Sequence, residues 1–247
     1  MFDKNRNKMN INNYEQNKEQ REQMPEINFR FNKQREINNW YTTLTGTPKF
    51  GLSGGRTKWN LGDIPKDVSR EIAGLDEESA KLIIKNRIEK ELEKPDVQNL
   101  IEEKINKTKE RWGTVAKGYF SLLSQLINVP VEKFEKQYFA EYTFSARCPF
   151  GKDSFMFNRF RDFADTAMHE IMHIEFLKEY RGYCKERGLD DSQIDHLKEI
   201  LTVLLNEPAG YTKHVELREK ALEIHKNSKN FLEFLDKMIE LIKETDF

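Results

Sequence analysis

The chain reads as an α+β protein, predominantly helical, with a small antiparallel sheet or hairpin packed on a helix. Apolar residues recur at helical spacing over residues 76–126 and again from about residue 159 to 244. Only residues 137–157 switch to aromatic and β-branched side chains around a turn. Inside the later helical region, His169-Glu170-Ile171-Met172-His173 sets two imidazoles one turn apart on one face, with a carboxylate directly after the first.

Residues 1–39 are crowded with Asn, Gln, Lys, Arg and Glu and carry few apolar side chains, a composition that predicts a flexible polar arm. Residues 40–75 read as a loop-rich linker or lid, since Thr47-Pro48, Gly51, Gly54-Gly55 and Gly62 punctuate them. The stretch Gly51-Leu52-Ser53-Gly54-Gly55 lacks the Gly-Lys-Ser/Thr that a phosphate loop needs. The remainder, 76–247, reads as one unit: a helical scaffold (76–136), a core that carries the His169–His173 string (137–215) and a C-terminal helix (216–247).

Asp76 is placed to cap a helix whose apolar residues Leu82, Ile83, Ile84, Ile88 and Leu92 run until Pro95. A second helix starts near Asp96 and continues, with a break expected at Gly113, through an apolar stripe that includes Trp112, Tyr119, Phe120 and Leu123. Tyr138, Phe139, Tyr142, Thr143 and Phe144 favour an extended strand. After the turn-like residues 148–153, Ser154-Phe155-Met156-Phe157 favours another, so a hairpin is the simplest account. The helix expected over residues 159–181 is broadly apolar except for a stripe of Asp162, Asp165, Thr166, His169 and His173. A Leu-rich helix at 192–207, stopped by Pro208, carries His196, Glu199, Thr202 and Asn206 on its remaining stripe. One last amphipathic helix is expected from about Glu216 to Glu244.

With 247 residues, 37% of them hydrophobic and 17 of them Phe, the chain has enough apolar material for a core. Lys+Arg and Asp+Glu nearly cancel to a net charge of -1, which argues against nucleic acid as a ligand. The polar start Met1-Phe2-Asp3-Lys4-Asn5 is not followed by an apolar stretch of signal-peptide length, and no run approaches membrane-spanning length. Cys148 and Cys184 are too few for a disulfide scaffold. The expectation is a cytoplasmic protein with reduced thiols and no membrane partner.

The string at 169–173 has the H-E-x-x-H spacing of zinc peptidases, in which both rings can grip one metal ion. Followed by a helix bearing a glutamate, it resembles the zincin metallopeptidases, specifically the gluzincin branch, over residues 137–206. That resemblance implies zinc as cofactor, a third protein ligand supplied by a Glu on the later helix, a strand edge that holds substrate above the active helix, and a peptide or protein as substrate. Glu199, 26 positions after His173 and among apolar residues, is the leading candidate for that ligand; Glu207 and His196 are the alternatives. The metzincin branch is excluded, because residues 174–180 offer no third His. Thermolysin-like members often place an Asp four residues after the ligand Glu, whereas this chain has Val203 there. Asp165 or Asp162 could orient an imidazole instead, although acidic residues at a helix start also suit the helix dipole.

On this reading Glu170 is the general base, and Tyr211 and His214, which follow the glutamate helix, are candidates to stabilise the oxyanion. Other expectations stand beside it: an inactive zincin-like scaffold, a metal-dependent hydrolase of another substrate, or a helical protein that binds partners, with the polar arm as a tether to another protein.

Overall fold

A computed structural model describes residues 24–46, 59–205 and 214–247. Three strands form one sheet in the order β1 (Glu26–Phe31), β2 (Gln137–Tyr142), β3 (Ser154–Phe157). Around it lie α1 (Lys33–Thr45), α2 (Val68–Glu71), α3 (Glu77–Leu92), α4 (Pro95–Ile127), α5 (Phe163–Glu186), α6 (Asp191–Leu201), α7 (Val215–Lys226) and α8 (Phe231–Lys243). Short 3₁₀ turns occupy Val131–Lys133 and Thr202–Leu205. The α+β, mainly helical class holds. Among the described residues no helix is long and apolar enough to cross a membrane.

The sheet corrects the expected antiparallel hairpin, for both strand pairs are parallel. β2 has no free edge to receive a hairpin partner in the expected way. One edge is taken by β1 with Glu26 opposite Gln137, and the other by β3 with Phe139 opposite Ser154. After Thr143, whose N still donates to Phe157 O at 2.8 Å, the chain leaves the sheet and is held by α1. Glu36 Oε1 accepts from Phe144 N at 2.8 Å, and Asn39 Nδ2 donates to Thr143 Oγ1 at 2.9 Å and to Arg147 O at 3.0 Å. The tight turn does exist, but it joins Pro149-Phe150-Gly151 to β3: Gly151 N donates to Ser154 O at 2.6 Å and Met156 N to Pro149 O at 2.9 Å.

Part of the expected polar arm is ordered in the sheet. Residues 26–31 form β1, in which Ile27, Phe29 and Phe31 alternate with Glu26, Asn28 and Arg30. Arg30, directly opposite Glu141 in the ladder, pairs with that buried carboxylate at 2.7 Å, and Arg35 adds a second contact at 2.8 Å. Asn32 then caps α1, accepting from Arg35 N, and Trp40 on this helix is completely buried. Trp40 is therefore core, not linker. Residues 1–23 and 47–58, including the glycine-rich stretch considered above, lie outside the described residues.

Asp76 caps α3 through Ser79 N at 2.9 Å, as expected. Pro95 ends one helix and opens the next, because a first-turn position needs no amide donor. α4 then runs unbroken for 33 residues. Gly113 does not interrupt it, since a helix tolerates one exposed glycine at modest cost. Conversely, the single last helix is two, α7 and α8, with Asn230 capping the second by accepting from Glu233 N.

Around the sheet the core is aromatic. Phe163, at the start of α5, packs against Phe157 at 5.0 Å, Phe155 at 6.0 Å and Trp112 at 6.0 Å between ring centroids. Tyr119 OH donates to Met168 O at 2.7 Å and Tyr180 OH to Ile127 O at 2.6 Å, so α4 pins α5 at two levels. Glu175 is a structural carboxylate: its Oε1 accepts from Glu135 N and Tyr138 OH, tying α5 to the residues entering β2.

Candidate metal centre

α5 begins at Asp162, whose side chain accepts from Ala164 N at 2.9 Å and Asp165 N at 3.4 Å and lies 3.2 Å from Arg111 Nη2. Asp162 is thus a cap. Asp165 is exposed in the first turn. Beyond them α5 dives into the core, with Ala167, Ile171, Met172 and Phe176 all buried. His169 and His173 are carried on the stripe that this burial leaves, their ring centroids 4.3 Å apart.

α6 supplies the opposing carboxylate. Asp190 and Gln193 form a capping box that fixes its start, and Ile194, Leu197, Ile200 and Leu201 bury it against its neighbours. At its far end Arg218 Nη1 donates to Glu199 O at 2.8 Å and to Thr202 Oγ1 at 2.9 Å. Glu199 is held there with Oε2 3.5 Å from His169 Nε2 and Oε1 3.3 Å from His173 Nε2. Ligand atoms about 2.0–2.1 Å from a tetrahedral zinc stand about 3.3 Å from one another. Both Glu199–imidazole approaches are close to that spacing, and the side chains whose ligand atoms all lie within 4.8 Å of one another are His169, Glu170 and His173.

Electrostatics agrees with this chemistry. His173 is 1% exposed, and among the described residues neither ring nitrogen makes an aligned hydrogen bond despite the 3.3 Å approach of Glu199. Leaving both nitrogens of a buried imidazole without partners is costly unless something else binds there. Burial, together with nearby His169 and Lys198, pushes the His173 pKa down to about 3, which keeps the ring neutral. Burial alone would raise the Glu199 carboxyl, but its contacts with the two imidazoles and with Lys198 outweigh that and hold it well below the usual range. Neutral imidazoles and an ionised carboxylate are the forms that ligate metals.

Glu170 is 8% exposed, and its carboxylate clusters with the two imidazoles, one ligand atom from each lying within 4.8 Å of the others. Burial raises its pKa to about 7, against the lowering influence of His169, Lys198 and Arg161. Two carboxylates thus border the rings, Glu170 from the same helix and Glu199 from α6.

His196 and His214, two further candidates, meet each other. His214 Nε2 stands 3.2 Å from His196 Nδ1, and His196 stacks on Phe247 at 3.8 Å, beside a cavity of about 860 Å³ at the start of α7. Tyr211 and Glu207 lie outside the described residues. Cys148 and Cys184 are free thiols that burial pushes up to about 12 and about 11, too high to serve as nucleophiles.

Three residues at the centre escaped the sequence reading: Arg218, which braces the α6 end; Phe150, whose ring lies 5.3 Å from that of His173; and Lys198, discussed below. Arg218 lies in a helix that otherwise reads as packing. Phe150 lies in the turn that was expected to join two strands. No protein-family model, no curated protein and no solved structure matches the chain.

Proposed function

We propose that the chain is a zinc-dependent hydrolase, most simply a metallopeptidase, in which His169, His173 and Glu199 hold the ion and Glu170 is the general base. The observation that carries this reading is the meeting of Glu199 with both imidazoles, at 3.5 and 3.3 Å, across 26 positions of sequence. Two histidines at i and i+4 are common on helices; a largely covered carboxylate, 13% exposed, that spans both from another helix is not explained by packing, which would place an apolar residue there.

Zinc, when bound by two His and one Glu, supplies Lewis acidity and brings the pKa of water toward neutrality. The chain's own groups do the rest. Glu170, next to the ligand His169 but outside the close Glu199 contact, takes a proton from the attacking water and returns it to the leaving amine. Its burial excludes bulk water, which strengthens each charge interaction. Phe150 covers His173 and also lines a cavity of about 460 Å³, in which Ile174 and Leu177 form an apolar wall and Lys152, Lys178 and Arg181 a basic one, a place suited to part of a peptide.

The test is metal content and turnover together. Protein purified without an affinity tag is expected to hold about one zinc per chain. Glu170→Gln is expected to keep that zinc and to hydrolyse unstructured peptides at least about a hundredfold more slowly, as loss of a general base costs about 10²–10⁴. Undiminished turnover in that variant removes Glu170 from the role, and absence of zinc uptake removes the function.

A further inference from the structure

Lys198 immediately precedes Glu199 on α6, yet its side chain is only 5% exposed. Its ammonium lies 2.7 Å from Glu199 Oε1 and 5.1 Å from the centroid of the Phe150 ring, the same ring that packs on His173. The charge therefore sits inside the candidate centre, bounded by a carboxylate, an aromatic face and an imidazole. Desolvating an ammonium costs several kcal/mol, and lysine is almost never buried without a purpose or a full set of partners. The set is not full here. An ammonium has three donors, and among the described residues Glu199 engages one. The charge also acts electrostatically on both Glu170 and His173.

We propose that Lys198 is the cationic donor to the oxyanion that forms when the substrate carbonyl is attacked. This rests on the hydrolase reading above and completes it, since His214 is turned toward His196. Water loses a proton to Glu170 as its oxygen bonds to the carbonyl carbon, and the π pair moves onto the carbonyl oxygen. That oxygen takes a hydrogen bond from the Lys198 ammonium, which keeps its proton throughout. The pair returns to reform the carbonyl as the C–N bond breaks, and the amine leaves with the proton held by Glu170. Arg218, the other buried cation nearby, is committed to Glu199 O and Thr202 Oγ1 and serves the helix end.

The experiment uses the full chain loaded with cobalt(II), whose visible absorption reports binding, and acetohydroxamate as a small oxyanion probe. Lys198→Met is expected to take up as much cobalt as the parent but to bind acetohydroxamate about 10- to 100-fold more weakly, the range for losing a charged hydrogen bond. Lys198→Arg, which keeps the charge, is expected to recover most of that loss. If the Met variant does not fold, Lys198→Gln takes its place with the same expectation. Equal acetohydroxamate affinity in parent and variant overturns the role of Lys198 and leaves the hydrolase reading standing. Loss of cobalt by the variant also overturns it, because the lysine would then serve only to position Glu199. No cobalt uptake by the parent chain removes both proposals.

Discussion

Glu36 is fully buried on α1, with Oε1 accepting from Trp40 Nε1 at 2.6 Å and Phe144 N at 2.8 Å. Burial raises its pKa from 4.5 to about 7, more than donors on Thr143, Phe144 and Trp40 lower it. A carboxyl raised in this way binds its proton more tightly in the folded chain than in the unfolded one. Its contribution to stability is complete below about pH 4.5 and is lost as the pH climbs through about 7. At 1.36 kcal/mol per unit, the loss is about 3 kcal/mol. Glu36→Gln keeps the Oε1 acceptor and cannot ionise. Urea melts at pH 5 and pH 8 are expected to show the parent losing about 3 kcal/mol more than the variant over that interval. Parallel pH slopes in the two proteins would show that Glu36 is ionised at no extra cost.

The same residue scale explains what was hidden at the candidate centre. A histidine pair at four-residue spacing is a local pattern, and Glu199 stands out as an acid among leucines. Lys198 does not stand out, because a Lys beside a Glu on a helix normally marks a solvated face. Only the fold shows that this ammonium is covered by Phe150, which arrives from a loop far away in sequence.

Elements differ in how far local pattern reveals them. α5 carries its own evidence: an apolar periodicity, a capping Asp162 and a polar stripe, all within one helix. β1 carries the same kind of evidence in Glu26-Ile27-Asn28-Phe29-Arg30-Phe31, an alternation with period two, but it is brief and follows a long polar stretch. Its partner lies 111 positions away, and parallel pairing leaves no turn sequence to betray it. The direction of β3 was hidden for a related reason. Residues 148–153 do make a tight turn, and α1, holding Thr143 and Phe144 from outside together with the amide of Asp63 on Phe144 O, sets which strand that turn serves.

α4 shows how little a single residue need disturb an element once packing supports it. Its 33 residues span about 50 Å, anchored by Trp112, Tyr119, Phe120 and Leu123 in the core. Gly113 lies on the exposed side, and a methyl group added there meets nothing within 4 Å. Gly113→Ala is therefore expected to stabilise the chain by about 0.8–1 kcal/mol, through helix propensity and the smaller entropy of the unfolded state. Thermal denaturation should rise by about 2–4 °C. An unchanged or lower midpoint would mean that α4 is bent or frayed at this point.

At the scale of the whole molecule, the candidate centre joins helices that have separate anchors. α5 is pinned to α4 by Tyr119 and Tyr180 and to β2 by Glu175, while α6 is braced by Arg218 of α7. Between these supports His169 and His173 on one side face Glu199 on the other, so an ion held by all three clamps two independently supported parts of the core. Such an ion binds the folded chain and finds no assembled site in the unfolded one, where Glu199 is 26 positions from His173. Stabilisation then follows free metal by mass action, about 2.7 kcal/mol when zinc exceeds its dissociation constant a hundredfold. For a chain of this length that is a rise in melting temperature of about 5–10 °C. Removing zinc with a chelator should reverse the rise, and adding it back should restore it. Glu199→Ala provides the control: its melting temperature without metal reflects packing alone, and the increment on adding zinc should fall to within about 2 °C, because two imidazoles remain as ligands. Equal increments in parent and variant would show that zinc binds elsewhere on the surface, and that the convergence of α5 and α6 is a feature of packing.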